Sequence, residues 1–190
     1  MNLKVEISRK IVHLLSVTIA FAILILDESV YIPLLFALTT FILFFDFLRI
    51  KSNFTSRYYY KFFGIFTRDS EKHQITGASF VFIGSLIVAC LFEKEIVFLG
   101  LLVMSISDSF AAIVGIIFGK TKLFKKSLEG SLAFFIVTFT ILFFADFNLF
   151  ENLFISFIVT TTELFATYKY NDNVLIPLIT CATIYMFNII

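Results

Sequence analysis

The sequence predicts an all-α integral membrane protein, a polytopic bundle of about seven transmembrane helices. Hydrophobic residues make up 59% of the 190 residues and charged residues 15%, with 28 phenylalanines, and the mean hydropathy is +0.98. Soluble domains average about 45–50% apolar and about 25% charged residues. A soluble fold of this length could not bury so much apolar surface, whereas a lipid bilayer accepts it.

Apolar runs of spanning length recur along the whole chain. About 20 residues cross a bilayer, with a range of about 17–25. The runs lie near residues 11–26, 30–48, 75–92, 96–118, 130–147, 152–168 and 174–190. Only a short turn at 169–173 separates the last two, so six or eight helices are alternatives to seven. The sequence contains no repeat and no soluble domain, so we interpret residues 1–190 as a single transmembrane domain.

The connecting segments alternate in charge, and this alternation predicts an orientation. Of the 15 Lys and Arg residues, only Lys94 falls on the opposite side of a seven-span arrangement from the others. The positive-inside rule places the basic side in the cytoplasm. The prediction is an N-in, C-out topology with two cytoplasmic segments, 49–74 and 119–129, and an active site that faces the cytoplasm.

Segment 49–74 combines aromatic and basic residues. They alternate at helical spacing, as Phe54, Arg57, Tyr58, Lys61, Phe62 and Phe66, with Arg68 following. Such a segment is expected to lie in the headgroup layer, with its aromatic rings toward lipid and its cations toward water. We interpret it as an anchor that attracts anionic lipid; the alternative is a lid that guides a lipid substrate. Asp46, just before it, is expected to be interfacial.

Asp108 is the strongest candidate for a functional residue because it lies inside the fourth predicted span. A charge within a span costs about 2.5–3.5 kcal/mol on insertion scales, so intramembrane carboxylates usually mark functional sites. Gly115 lies seven residues later on the same helical face, where glycine permits close approach of a ligand or another backbone. The alternative is that Asp108 bonds neighbouring hydroxyl groups and the glycine serves helix packing. Glu163 is a second intramembrane carboxylate, in the sixth predicted span.

The basic segment 119–129 ends at a predicted helix start. Ser127 or a residue beside it can cap that helix, and Glu129 suits the negative preference of a first turn. A helix N-terminus offers free N–H groups and a positive dipole end to a phosphate. Nearby lysines add positive charge: Lys120, Lys122, Lys125 and Lys126. The alternative is an ordinary positive-inside loop, and the GxxxxGK[ST] motif of P-loop proteins is absent.

Several pieces of the sequence occur together in an order that resembles a known family. The pieces are Arg9-Lys10-x-x-His13, Ile75-Thr76-Gly77-Ala78, Ser107-Asp108-Ser109-Phe110-Ala111-Ala112-x-x-Gly115, Gly119-Lys120, Lys125-Lys126-Ser127-Leu128-Glu129-Gly130-Ser131, Glu163 and Asp172-Asn173-x-x-x-Pro177. Over nearly its whole length the chain resembles the CTP-dependent lipid kinases, which include dolichol kinase, phytol kinase and the CTP-using diacylglycerol kinase of yeast. One departure is Ser107, where the family usually has Gly.

The resemblance implies a membrane enzyme that transfers the γ-phosphate of CTP to the hydroxyl of a polyprenol, phytol or diacylglycerol-type lipid, with a divalent metal such as Mg²⁺. Membrane lipids would surround it, and no nucleic acid is expected as a partner. The implied catalytic residues are Asp108, Arg9 and Lys10. The implied nucleotide-binding residues are Gly115, Lys120, Lys125, Lys126, Ser127, Glu129 and Gly130. The implied metal ligands are Asp108 and Glu163, and the other matching positions are His13, Thr76, Gly77, Asp172 and Asn173. Asp108 either binds the metal or orients the lipid hydroxyl.

Other functions remain as alternatives. A CDP-lipid synthase-like cytidylyltransferase also uses CTP and shares an Asp…Gly…Lys…Glu-Gly layout, but those enzymes end in a His-Gly-Gly-x-x-Asp-Arg-x-Asp-like cluster that region 161–177 lacks. A small transporter could use Asp108 and Glu163 as an ion relay, yet the inverted internal symmetry typical of many transporters is not visible. A purely structural membrane protein would leave Asp108 unexplained.

Overall fold

The protein was analysed as a computed structural model, which describes residues 3–67, 71–166 and 171–188. Nearly all of these residues are helical, which confirms the all-α class. Arg68 and Lys169, both counted in the charge asymmetry, lie outside the described residues. So do the first part of the predicted turn 169–173 and residues 167–168 and 189–190 of the last two apolar runs.

The described part of the chain consists of helices and one short hairpin. In chain order these are α1 (Leu3–Leu14), α2 (Val17–Ile25), α3 (Glu28–Lys51), α4 (Asn53–Phe63), α5 (Gly77–Leu91), α6 (Lys94–Leu102), α7 (Asp108–Phe118), β1 (Lys122–Leu123), β2 (Lys126–Ser127), α8 (Leu128–Phe143), α9 (Leu149–Phe165) and α10 (Asp172–Asn188). A 3₁₀ turn, Gly64–Phe66, follows α4, and a π-helical turn, Val103–Ser107, joins α6 to α7. Each predicted apolar run is mostly helical over its described residues, although the first begins earlier than predicted and is interrupted at residues 15–16, and the fifth leaves the helix after Phe143.

Three helical segments are long and apolar enough to cross a membrane, by length and composition. They are Glu6–Ile25 with 20 residues, Glu28–Lys51 with 24 and Lys94–Phe118 with 25. Shorter apolar helices are Gly77–Leu91, Leu128–Phe143 and Asp172–Phe187. These helices are compatible with a membrane protein.

The α6–α7 rod lies at the centre of the bundle. In its most apolar window 44% of the residues are buried, compared with 17% for Glu6–Ile25 and 22% for Glu28–Lys51. Val97, Leu101 and Met104 are fully buried along this rod. The outer helices instead expose large rings such as Phe41 and Phe157. Apolar surface of this extent rarely faces water in a monomeric soluble protein.

Two rods are interrupted where they meet. The first rod breaks between α1 and α2 at residues 15–16, and the central rod carries its π turn at Val103–Ser107. The hydroxyl oxygens of Ser16 and Ser105 lie 2.6 Å apart across this contact. The paired interruptions bring the end of α1 against the start of α7, which is where the candidate site lies.

Candidate functional site

One cavity collects most of the residues that the sequence singled out. Its volume is ≈ 580 Å³, and it lies where α1, α4, the start of α5, the hairpin and the start of α10 meet. The predicted site residues on its wall are Arg9, Lys10, His13, Thr76, Gly77, Lys125, Lys126, Asp172 and Asn173. Residues as far apart as 9 and 173 in the chain therefore share one site.

The buried carboxylate of Asp108 lies behind this wall and is paired with two cavity residues. Its Oδ2 accepts a hydrogen bond from Lys10 Nζ, and His13 Nε2 lies 3.5 Å from the same oxygen. Lys10 and Asp108 are both buried. Beside them, Arg9 donates to Glu6 Oε2 at 2.6 Å. Asp108 thus joins α7 to α1 by charge, and its partners rather than its own oxygens line the cavity.

The serines that flank Asp108 make their hydrogen bonds elsewhere. Ser109 Oγ donates to the carbonyl oxygen of Ser105 at 2.6 Å. Thr138 Oγ1 in α8 donates to Ser107 Oγ at 3.0 Å, so the serine that departs from the family pattern joins two helices. The alternative in which Asp108 bonds neighbouring hydroxyl groups is therefore not the arrangement seen in the described residues.

The π turn explains how a helix interior can present such a group. A π turn adds a residue to the helical repeat, and such turns occur frequently at functional sites. Here it includes Met104, whose carbonyl oxygen lies 3.2 Å from His13 Nε2. The turn ends at Ser107, so Asp108 opens α7 directly after it. No feature of the sequence pattern predicts this π turn.

A second ion pair, part-buried, lies beside the first. Lys126 Nζ in β2 donates to Glu163 Oε1, and Ser131 Oγ donates to Oε2 of the same carboxylate at 3.4 Å. Lys126 also interacts electrostatically with Asp108, and Glu163 with Asp108 and Asp172. The two pairs are therefore coupled across α1, α7, the hairpin, α9 and α10.

The hairpin has the helix cap that the sequence predicted. Ser127 Oγ accepts a hydrogen bond from Gly130 N–H at 3.2 Å, so Ser127 is the N-cap of α8. Glu129 accepts from Thr121 N–H at 3.1 Å, which closes the loop. Backbone N–H groups, its own first and then those of Lys120 and Thr121, lower the pKa of Glu129. Lys120, Ser127 and Glu129 lie outside the cavity lining, so their nucleotide-binding role stays a prediction.

Gly115 and Gly130 serve close packing of α7 on α8. A Cβ atom on Gly115 would lie 2.9 Å from Ser127 Oγ, and one on Gly130 would lie 2.8 Å from the carbonyl oxygen of Ala111. Carbon atoms do not approach so closely without displacement. Both glycines lie at the packing contact of α7 with α8, as the helix-packing alternative expects, and neither is among the cavity-lining residues, so their nucleotide-binding role stays a prediction.

Thr76, Gly77 and Asn173 join α5 to α10 beside the cavity. Thr76 caps α5, with its hydroxyl oxygen 3.5 Å from Ser79 N. Asn173 Nδ2 donates to the carbonyl oxygen of Gly77 at 3.0 Å. Because Gly84 has no side chain, the backbone carbonyl of Asn173 packs against it. A side chain at position 84 would displace that carbonyl. These matching positions therefore build the wall of the cavity.

The sequence analysis missed a buried cluster around Asp46 and Arg49. Both residues are 2% exposed, so they are buried within the bundle; the expectation that Asp46 and segment 49–74 lie at the membrane interface stays a prediction. Arg49 Nε donates to Asp46 Oδ1 at 3.0 Å. The available signal was an Asp and an Arg three residues apart at the end of an apolar run, a spacing that places them on one helical face.

Asp108 and Glu163, the metal ligands that the family resemblance implies, are each paired with a lysine ammonium group, and neither lines the cavity. Mg²⁺ at phosphoryl-transfer sites is usually held by one or two carboxylates together with substrate phosphates and water. Asp108 and Glu163 supply two carboxylates that interact with each other. No group of three His, Cys, Asp or Glu side chains converges in the described ranges, so an all-protein metal cage is absent there.

Comparison with known proteins shows two relatives of similar length. The chain is 30% identical to uncharacterized protein RP860 of Rickettsia prowazekii, across 96% of this chain and 94% of the relative. It is 34% identical to uncharacterized protein MJ1137 of Methanocaldococcus jannaschii, across 92% of this chain and 90% of the relative. No family model matches the chain, and no solved structure matches it. The chain belongs to the same family as these two proteins.

Proposed function

We propose that the protein is a multi-pass membrane enzyme that transfers a phosphoryl group from CTP to the hydroxyl of a lipid alcohol. The observation that carries the proposal is two ion pairs, the buried Lys10–Asp108 and the part-buried Lys126–Glu163, whose lysines line a cavity that apolar residues also line. Buried charges are costly, and in apolar helices they usually mark functional sites.

The cavity has the two chemistries that such a reaction needs. Lys10, Lys125 and Lys126 bring cationic groups to its wall. Apolar residues also line it: Val12, Leu15, Ile19, Phe63, Phe80 and Val81. The cations suit a triphosphate and the apolar residues a hydrocarbon tail. A lipid alcohol presents its hydroxyl at headgroup depth, so we infer that donor and acceptor meet in this cavity.

Phosphoryl transfer needs positioning and charge neutralisation more than covalent help from the protein. Lys10 and Lys126 neutralise phosphate charge, and Asp108 and Glu163 orient these two ammonium groups within a buried site. His13 stands beside Asp108 at the cavity wall and can hold the acceptor hydroxyl. Asp108 and Glu163 would be the ligands of the Mg²⁺ that the resemblance implies, and that ion would supply further neutralisation of the triphosphate.

The proposed topology is seven spans, N-in and C-out, with the cavity on the cytoplasmic side. The basic hairpin and the second half of α1 meet at the cavity, near the start of α8. Beyond the other end of α8, a second pocket of ≈ 330 Å³ has acidic residues on its wall, namely Glu95, Asp146 and Glu151. This separation of charge along one helix supports the positive-inside assignment.

A transfer assay tests the function. Purified protein in mixed micelles is given CTP, ATP, GTP or UTP labelled at the γ-phosphate, each with a polyprenol, phytol or a diacylglycerol. We expect label to appear in a phospholipid with CTP as the preferred donor. Label from α-labelled CTP in the lipid product would instead indicate cytidylyl transfer, and no lipid product with any pair would contradict the proposal.

Cysteine labelling tests the topology. Cys90 and Cys181 are replaced, and single cysteines are placed at Leu123 in the hairpin and at Ala145 beside the acidic pocket. An impermeant maleimide should label position 123 only in opened vesicles and position 145 in intact cells. Labelling of position 123 from outside would overturn the assignment.

A further inference from the structure

We propose that Asp46 and Arg49 are positioning residues that hold the cover of the cavity closed. The cover comprises α4 with its 3₁₀ turn, residues 53–66, and the following loop, residues 71–77. The kinetic part of this inference rests on the proposed function, and the structural part does not.

Arg49 binds both parts of the cover at once. Its Nη1 donates to Tyr60 OH at 2.7 Å in α4 and to the carbonyl oxygen of Glu71 at 3.1 Å in the loop. Its Nη2 donates to the carbonyl oxygen of Gln74 at 2.6 Å. The guanidinium carbon also lies 5.0 Å from the centre of the Tyr59 ring. One side chain of α3 therefore ties together segments that lie up to 25 residues further along the chain.

Asp46 makes the corresponding hydrogen bonds with the start of α5. Its Oδ1 accepts from Arg49, and its Oδ2 accepts from Thr76 N–H at 2.7 Å, Thr76 Oγ1 at 2.9 Å and Ser79 Oγ at 2.6 Å. The carboxylate thereby fixes Thr76, where the loop ends and α5 begins. Since a planar guanidinium offers donors in a rigid fork, an ammonium group cannot reproduce this set of bonds.

The cover supplies a large share of the cavity wall. Its lining residues are Tyr59, Phe63, Phe66, Glu71, Ile75, Thr76 and Gly77. α4 itself has no buried residue, so its own packing does little to fix it. Burial raises the pKa of Tyr59, which keeps the phenol neutral beside the cavity. The bonds of Arg49 and Asp46 thus link both parts of this cover to α3.

A labelling experiment measures closure without any enzymatic assay. In a protein lacking Cys90 and Cys181, Ile75→Cys on the cavity side of the cover reports access to a soluble maleimide. We expect Arg49→Lys to raise the labelling rate at position 75 by about tenfold, and the milder Tyr60→Phe by about threefold, since each removes hydrogen bonds to a buried charge. A cysteine at Ala145, beside the acidic pocket, should label at the same rate in all variants.

A kinetic experiment separates positioning from plain destabilisation. The matched control is Asn152→Ala, which removes a buried hydrogen bond to the carbonyl oxygen of Phe139 far from the cover. We expect Arg49→Lys to raise the KM for the lipid by about tenfold with kcat changed less than about twofold. The control should lower Tm with an unchanged KM.

The outcomes of the two experiments are distinguishable. Unchanged labelling at position 75 in both Arg49→Lys and Tyr60→Phe would overturn the inference even if the protein is a kinase. Raised labelling in a protein without transfer activity would support the cover while contradicting the proposed function. If Arg49→Lys shifts the KM for the lipid no more than Asn152→Ala does, Arg49 has only a structural role and is not a positioning residue.

Discussion

Two buried carboxylates, Asp46 and Asp108, lie in similar apolar helices but have very different surroundings. Asp46 accepts hydrogen bonds from Arg49, Thr76 and Ser79, and its partner Arg49 is in turn bound to backbone carbonyls and to Tyr60. Asp108 is instead paired with the single ammonium group of Lys10, with His13 nearby, and both partners face a cavity.

The difference shows how burial alone fails to identify a functional charge. A buried charge whose hydrogen bonds are made to other residues of the protein holds segments of the chain together. In a buried ion pair whose cation borders a cavity, that cation can still bind a ligand. The first kind should affect stability most when altered, and the second should affect ligand binding or turnover.

The largest expected effect is the loss of stability when Asp46 loses its cation. Arg49→Ala leaves Asp46 buried without its cation, so we expect the free energy of unfolding to fall by about 3–5 kcal/mol. Arg57→Ala is the matched control, because Arg57 is an exposed cation in α4. Denaturant titration in detergent measures both. A loss below about 1 kcal/mol for Arg49→Ala would remove the distinction between the two carboxylates.

Lys10→Met tests the other carboxylate, Asp108, by removing its cation. The replacement keeps the length of the side chain but removes the cation between Asp108 and the cavity. We expect kcat to fall by about 10²–10³, the usual effect of losing a well-placed electrostatic group. Lys51→Met, at the exposed end of α3, should retain activity. Equal turnover in the two variants would place the site elsewhere.

A smaller effect is expected at the hairpin. Lys126→Ala should raise the KM for CTP by about tenfold and the KM for lipid much less, because Lys126 lines the cavity and, under the proposed function, binds the phosphates. Lys122→Ala removes the same charge from the same hairpin at an exposed position. Initial rates at varied CTP and lipid separate the two constants. Equal KM values for both variants would reduce the hairpin to a general positive-inside loop.

The helical runs and the residues of the site were predictable because they rest on local signals. Hydrophobic length gives the helices, and Ser127 has the residue type and spacing of an N-cap. The family-matching pieces around Lys10, Asp108 and Asn173 indicated which residues to expect at a site, and the fold brings them to one cavity or directly behind it.

Other features depend on long-range contacts that no local pattern contains. The partner of Asp108 lies 98 residues away in the chain, so the sequence could not show that the carboxylate is paired with Lys10. The π turn at Val103–Ser107 follows from packing between interrupted rods. In the sequence Arg49 is one more cation of a basic segment, and its burial depends on contacts with α4 and with loop 71–77.

The most direct test of the whole account is Asp108→Asn, measured for turnover and for thermal stability in the same preparation. The substitution keeps the shape and most hydrogen bonding while it removes the charge. We expect kcat to fall by about 10²–10³, with Tm in detergent close to that of the unaltered protein, because Lys10 borders a cavity and can be solvated. Asp108→Glu should also be nearly inactive, since one added methylene displaces the carboxylate oxygens. Turnover near that of the unaltered protein with Asn at position 108 would contradict the assignment of the site.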